Sequence, residues 1–399
     1  MNLRQNSLVS LGPYSLLITL GRCLRAGSVI LELPDGSRQI FEGAEPGPSA
    51  TLRVVRPRFV RRLLLGGHNG FAEAYMDGDF ETDDLAAVIE LGALNEAAWQ
   101  KVVNGHPVMR LLHRIPHLLR PNSKGGSRRN IAYHYDLGNA FYEQWLDPSM
   151  TYSSAVFASA NESLEAAQQN KYQAMTELAE LSPDHHLLEV GCGWGGFAAY
   201  AAKQTGCRVT GITISEEQYN YARKRVHLDG LAERVEIRRQ DYRDVTGSFD
   251  RVASIEMFEA VGERYWPIFF DKLRSALGPD GRVALQIITI DDAIWSSYRH
   301  GADFIQRYIF PGGMLPSQEA LKDCVQQAGL EWVGDKGFGL DYARTLKTWS
   351  ERFESAWPRI AGLGFDERFR RMWHYYLAYC AVGFKIGRID VRQIALSRG

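Results

Sequence analysis

Glu189, Gly191, Gly193, Gly195 and Gly196 fall within eight residues, after the apolar Leu187 and Leu188 and before a helix-like run from Phe197. A strand-to-helix turn this tight needs glycine where φ is positive and where backbone must touch a bulky ligand without a Cβ in the way. The glycines follow G-x-G-x-G-G with Trp194 in the middle, whereas dinucleotide dehydrogenases place G-x-G-x-x-G at the same point. Glu189, two residues ahead of the first glycine, suits the ammonium-bearing end of a nucleoside ligand better than it suits a pyrophosphate. Two readings stand on this turn alone: a site for a nucleoside with a cationic tail, or a glycine-rich turn in some other α/β protein.

The elements around the turn support a site. From residue 184 onward strands and helices alternate in the doubly wound manner, with predicted strands at 207–213, 234–238, 249–255 and 282–288 after the first. Ligands in such sheets sit beyond the carboxyl ends of the strands, so the turns 213–218, 240–242 and 255–259 join the glycine turn. Metal chemistry has no support. Cys23, Cys192, Cys207, Cys324 and Cys380 are odd in number and irregularly spaced, which predicts free thiols in a reducing cytoplasm and no zinc. His68, His106, His113 and His117 lack ligand spacing.

The amino-terminal third reads differently. At 399 residues the chain exceeds one core's comfortable size, and two domains are expected. Its net charge of −1 argues against a general nucleic-acid binder. Residues 8–24 form an apolar run broken by Gly12-Pro13, too short to span a bilayer, and are expected as an amphipathic helix resting on the protein or on a membrane. Residues 28–33 and 38–42 flank Pro34-Asp35-Gly36 as a hairpin, 51–55 reads as a third strand, and the spacing from 57 to 99 is helical. These predict a small α+β lipid- or membrane-interacting domain over 1–104. Between Lys101 and Asn130 there are seven basic residues and no acidic one, interleaved with apolar positions. That stretch fits a helix on an anionic membrane or a basic connector, and 105–130 is taken as the linker. The remaining 131–399 would be the catalytic domain.

Eight segments in order carry a specific resemblance. They are His134 to Asn139, Thr151-Tyr-Ser-Ser-Ala155, Glu189 to Gly196, Gln240-Asp-Tyr-Arg243, Met257-Phe-Glu259, Tyr308-Ile-Phe-Pro311, Phe338 to Tyr342 and Tyr375 to Cys380. Together they resemble the cyclopropane-fatty-acyl-phospholipid synthase family, which includes mycolic acid methyltransferases, from about residue 130 to the carboxyl terminus. The resemblance implies a Rossmann-like class I methyltransferase fold with a doubly wound, mostly parallel sheet. It implies S-adenosylmethionine as one-carbon donor and the cis double bond of an unsaturated phospholipid acyl chain as acceptor, giving a cyclopropane fatty acid. It also implies a homodimer, cytoplasmic and peripheral to the inner face of the membrane. Around the cofactor it points to Tyr135, Tyr152, Ser153, Glu189, Gly191, Gly193, Gly195, Thr213, Ile214, Ser215, Gln218, Gln240, Asp241, Tyr242 and Ile255. Thr213 and Gln218 stand where many nucleotide-binding folds have an acid for the ribose, and Ser215 before Glu216-Glu217 also reads as a helix cap.

Methylation of an alkene produces a carbocation, which aromatic faces can stabilise, and ring closure then needs a base to take a proton from the new methyl. In this family the resemblance implies bicarbonate as that base, held by a cysteine backbone, a histidine, a glutamate and a tyrosine. Glu259 and Tyr342 occupy two of those positions, while Ser154 replaces the cysteine and Gln286 the histidine. Glu256 and Ala260 stand beside Met257-Phe-Glu259 in place of the common Gly and His. Gln286 can donate an N–H but carries no charge, and Glu256, if it faces the site, would weaken anion binding further. A methyl-branched, methylene or methylated unsaturated product, with a partner reductase where a branch results, is therefore the alternative to a ring. A non-catalytic paralogue that binds lipid and cofactor is the second, and a methyltransferase for a soluble small molecule the third. Cys380 is carried over as an active-site position, although its apolar, aromatic surroundings fit a buried thiol. Trp266, Phe269, Phe270, Tyr298, Tyr308, Phe310 and Trp349 line an acyl channel or fill the core, and 298–316 is expected as a lid or tunnel wall.

Overall fold

The computed structural model describes residues 14–104 and 137–398, so the linker expected at 105–130, Tyr135, and residues 8–13 of the expected amino-terminal helix lie outside the described residues; the described helix is Ser15–Arg22. The chain divides into two units, one of residues 1–116 with 365–382, the other of 117–364 with 383–399.

In the first unit four strands lie in the order β2-β1-β3-β4, with β1 Ala26–Glu32, β2 Arg38–Glu42, β3 Glu45–Val54 and β4 Phe80–Glu81. The hairpin β1–β2 forms where Pro34-Asp35-Gly36 predicted it, and Gly36 has φ 83°. β3 begins six residues before the expected 51 and runs parallel to β1. Its early half, with Pro46 and Pro48, carries no periodic signal, and only pairing with β1 makes it a strand. The helix Arg58–Met76 is broken at Gly67 (φ 51°, ψ −129°), and Gly70 comes so close to the Arg62 carbonyl that a Cβ would lie 1.9 Å from that oxygen. Asp79 is wholly buried and accepts from Arg58 Nε at 2.6 Å and Arg62 Nη1 at 2.8 Å, which satisfies a charge that burial alone would expel. The uninterrupted second domain expected from 131 onward is interrupted, because 365–382 groups with this unit. The ties are tertiary and invisible to local pattern: Arg371 with Glu81 at 2.6 Å, Arg368 with Asp77 at 2.9 Å, and His374 with Tyr75.

The second unit holds a seven-stranded sheet in the order β10-β11-β9-β8-β5-β6-β7. Strands β5 (His186–Val190), β6 (Arg208–Thr213), β7 (Val235–Arg239), β8 (Phe249–Ile255) and β9 (Leu277–Ile290) run parallel, and β11 (Ile389–Arg398) is antiparallel both to β9 and to the edge strand β10 (Leu330–Gly337). The parallel strands are apolar on both faces, as a sheet covered by helices on each side requires: Leu187 packs into one cluster and Leu188 into the other. Strand order reverses between β5 and β8, and the crevice above that switch point is where the functional turns converge. The helix Glu216–Leu228 starts as the sequence predicted, with Ser215 Oγ accepting from Gln218 N and two acids in the first turn, matching the helix dipole. No described helix is long and apolar enough to cross a membrane.

Because nothing at Gly70 can retreat except backbone, Gly70→Ala is expected to cost about 3 kcal/mol or more. Calorimetry should register it as a lowered Tm, and an unchanged transition would refute the close approach.

Candidate active site

The glycine turn has the conformation its sequence demands. Gly191, Gly193 and Gly195 have φ of 80°, 53° and 78°, and a Cβ on Gly191 would meet Met257 Cγ at 2.6 Å. Glu189 at the end of β5 is buried, and its Oε2 has no hydrogen-bond partner. Burial pushes this carboxyl up to about 8, against the pull of Lys171. The Tyr242 hydroxyl is likewise buried without a partner, and burial pushes its pKa up to about 12. The orphaned Glu189 oxygen just ahead of a positive-φ turn is what a ligand carrying an ammonium would satisfy, and the Tyr242 hydroxyl at the turn after β7 is a second orphan open to a hydroxyl-bearing ligand. Thr213 Oγ1 donates to Gln218 Oε1 at 2.8 Å, which pins Gln218 in the next turn, with Ile214 and Ser215 between them. Gln240 and Asp241 serve the local turn instead: Gln240 Nε2 donates to Asp244 O, and Asp241 takes both Arg243 Nε and Nη2, at 2.8 and 2.7 Å.

The loop bearing Tyr152, Ser153 and Ser154 is fixed from below. Asp147 accepts from Ser149 N and Thr151 N, Thr151 Oγ1 bonds Tyr172 Oη, and Arg225 Nη1 donates to the carbonyls of Ser149 and Trp194, tying the loop to the glycine turn. Lys171, on the helix Leu164–Leu178, is completely buried and donates to Ser153 Oγ at 2.7 Å. Burial lowers its pKa to about 8, opposed by Glu256, Asp147 and Glu189. Sequence reasoning missed Lys171. Its signal was a lysine on the same helix face as Ala167, Gln168 and Met175, all of which are buried.

Beyond this loop three of the four expected anion-site residues, Ser154, Gln286 and Tyr342, do come together, but around a protein carboxylate. Glu256 Oε1 accepts from Ser154 N at 2.8 Å and from Gln286 Nε2 at 2.7 Å, and Oε2 accepts from Tyr342 Oη at 2.6 Å. The donors come from a loop, from β9 and from the helix Gly339–Gly362. Gln393 Nε2, opposite Gln286 in the β9–β11 register, donates to Gln286 Oε1 at 3.1 Å and so turns the Gln286 amide nitrogen toward Glu256. Three donors directed at one carboxyl group favour its ionised form. The Ser154 hydroxyl, expected as an extra anion donor, points instead to Ala155 O. Glu256 itself sits at φ 49°, a left-handed conformation that costs a non-glycine residue roughly 1 kcal/mol or more. Its own N–H donates to Gln286 O at 2.8 Å, which holds it there. Burial moves the Glu256 pKa upward while Tyr342, Gln286 and Ser154 N oppose it.

Glu259, one 3-10 turn further on, is different. Its Oε1 accepts from Ile288 N, its Oε2 is buried without a partner, and burial with the nearby Glu256 charge pushes it up to about 8. The two acids thus differ in support: three donors oppose the effect of burial on Glu256, whereas Glu259 has the Ile288 N–H and the neighbouring Glu256 charge raises it further. With Gln286, Tyr342 and Ser154 N already engaged by Glu256, the residues present do not fit a separate bicarbonate on those donors.

A run of packed aromatic rings links the glycine turn to the loop of Tyr152 and on to Tyr342. Trp194 packs on Tyr142, Tyr142 on Tyr152, Tyr152 on Trp349 at 5.3 Å between centroids, and Tyr342 stacks on Phe384 at 4.4 Å while meeting Trp349 edge-on. Phe310 reaches Tyr152, whereas Trp266, Phe269 and Phe270 belong to the core. The expected lid holds a π-helix, Ile305–Ile309, tied down by Gln306 Nε2 to Gly313 O. Ile255 ends β8 beside Glu256, and Cys380 lies on the helix Glu367–Lys385, in the stretch 365–382 that belongs to the first unit.

Residues 122–394 match the family model described as mycolic acid cyclopropane synthetase. The chain is 39% identical to a tuberculostearic acid methyltransferase of Mycobacterium tuberculosis, over 89% of this chain and 85% of that one. It is 37% identical to a cyclopropane-fatty-acyl-phospholipid synthase of Escherichia coli K12, over 88% of each. A mycolic acid cyclopropane synthase crystallised with SAH (S-adenosylhomocysteine) and CTAB superposes with a TM-score of 0.64 at 29% identity, covering 70% of this chain and 99% of that one.

The orphaned Glu189 carries a proton below about pH 8, and a cationic amine bound beside it would displace that proton. SAH affinity should therefore weaken as pH falls from 8, by about tenfold per unit at most. Glu189→Gln should bind more weakly at pH 8 and lose this slope; identical profiles for both proteins, measured by titration calorimetry, would remove Glu189 from the cofactor site.

Proposed function

The chain belongs to the mycolic acid cyclopropane synthetase family and is an S-adenosylmethionine-dependent methyltransferase of lipid acyl chains; on that premise we propose that it methylates the cis double bond of an unsaturated membrane phospholipid and yields a methylene or methyl-branched chain, not a ring. The observation that carries this reading is the Glu256 carboxylate on the donors of Ser154, Gln286 and Tyr342.

When bound, S-adenosylmethionine supplies an electrophilic methyl group. Glu189, Tyr242, Gln218 and the backbone of Gly191 and Gly193 would hold it, with Tyr152 and Ser153 on the loop opposite. The residues of this chain then have three tasks. The aromatic wall excludes water, so that an alkene, a poor nucleophile, is the only acceptor present. The rings and the Glu256 charge lower the energy of the secondary cation left on the chain after methylation. A proton must finally leave.

A fixed negative charge lengthens the cation's life, and a 1,2-hydride shift then moves the positive charge to the methylated carbon, where it is tertiary. Loss of a proton from the methyl group gives an exocyclic methylene, and a partner reductase that supplies hydride and a proton would complete a methyl branch. The 39% identity with a tuberculostearic acid methyltransferase agrees with this outcome. A peripheral position on the inner face of the membrane, with the amino-terminal unit toward lipid, belongs to the same proposal.

The test is mass spectrometry of fatty acids after incubating the protein with S-adenosylmethionine and vesicles of dioleoyl phosphatidylethanolamine and phosphatidylglycerol. A gain of one CH2 in a product that takes up hydrogen under mild catalysis is expected. A gain that resists mild hydrogenation would replace this product by the ring. No gain at all would reject the acyl acceptor and favour a binding-only paralogue.

A further inference from the structure

We propose that Glu256 is the base of this reaction, a carboxylate built into the chain where a small diffusible anion would otherwise have to bind. The inference rests on methyl transfer to an alkene, as proposed above, and adds the identity of the group that ends the reaction.

Four observations converge on Glu256. Its carboxylate gathers a backbone N–H, an amide and a phenol from three separate elements, the donor set of an oxyanion site. The residue as a whole is half-buried. Its backbone is held at φ 49°, and a strained non-glycine residue at such a place points to a functional side chain. Glu259, the other acid in the site, has one backbone donor and an unpartnered Oε2, an arrangement that suits a neutral acid and leaves Glu256 as the available proton acceptor.

The step balances as follows. The acyl chain holds a carbocation after methylation, and the carboxylate of Glu256 takes one proton from the transferred methyl group. The electron pair of that C–H bond becomes the second bond of a methylene group once hydride has shifted, or the closing bond of a ring if it has not. Glu256 becomes a carboxylic acid and returns its proton to solvent when the site opens. No oxidant, reductant or metal is consumed.

Glu256→Gly removes the carboxylate and relaxes the backbone, since glycine adopts positive φ freely. In carbonate-free buffer, with the full chain and the same vesicles, this variant should lose about 10²-fold or more in turnover, while SAH binding persists. Added formate or bicarbonate should restore part of the rate in Glu256→Gly, leave wild type unchanged, and leave Glu256→Gln inactive, because the amide fills the space without accepting a proton. A readout without turnover separates this proposal from the acceptor assignment: 13C-bicarbonate should broaden on Glu256→Gly and not on wild type. Undiminished turnover in Glu256→Gly, loss without anion rescue while SAH binding is intact, activity stimulated by bicarbonate in wild type, or no anion binding by the glycine variant would each overturn it.

Discussion

An ionised carboxylate in a water-poor cleft must be met by donors, and the hydrogen bonds to Glu256 are the constraint around which the second unit is arranged. Ser154 N, Gln286 Nε2 and Tyr342 Oη come from parts of the chain up to 188 residues apart, and each has its own support. The Ser154 loop is tied down by Asp147, Tyr172 and Arg225, Gln286 is turned by Gln393, and Tyr342 is stacked on Phe384. The antiparallel strand β11, between β10 and β9, thus has a structural task at the site, because it carries the Gln393 that orients Gln286 toward the carboxylate.

The same crevice contains a wider charge balance. Lys171 is buried among Glu256, Asp147 and Glu189, so the positive charge that offsets the acids lies under the loop and not in the substrate space. Two of the acids, Glu189 and Glu259, are pushed up to about 8 by burial, whereas Glu256 has three donors that oppose the same effect. Placing one strong anion against a wall of rings suits cation chemistry on an apolar chain better than it suits transfer to a hydroxyl or amine.

Much of this was legible in local sequence. The glycine turn, the positions of the parallel strands along the chain, the Ser215 cap and the β1–β2 hairpin depend on periodicity, positive φ and capping, all of which act over a few residues. The early half of β3, the return of 365–382 to the first unit, the buried Lys171 and the capture of Asp241 by Arg243 were not legible, because each exists only through a partner.

The sequence by itself determined that the chain carries a methyltransferase-type turn and a set of acids, amide and phenol able to hold an anion, because those are properties of residue type and spacing. It also contained Glu256, but not the direction in which its side chain would face. Tertiary structure decided that the donors of Gln286, Ser154 and Tyr342 meet on this carboxyl group, since the register of β8, β9 and β11 brings Gln286, Gln393 and the end of β8 together. A left-handed φ at residue 256 completes the geometry, and only folded neighbours can hold it there.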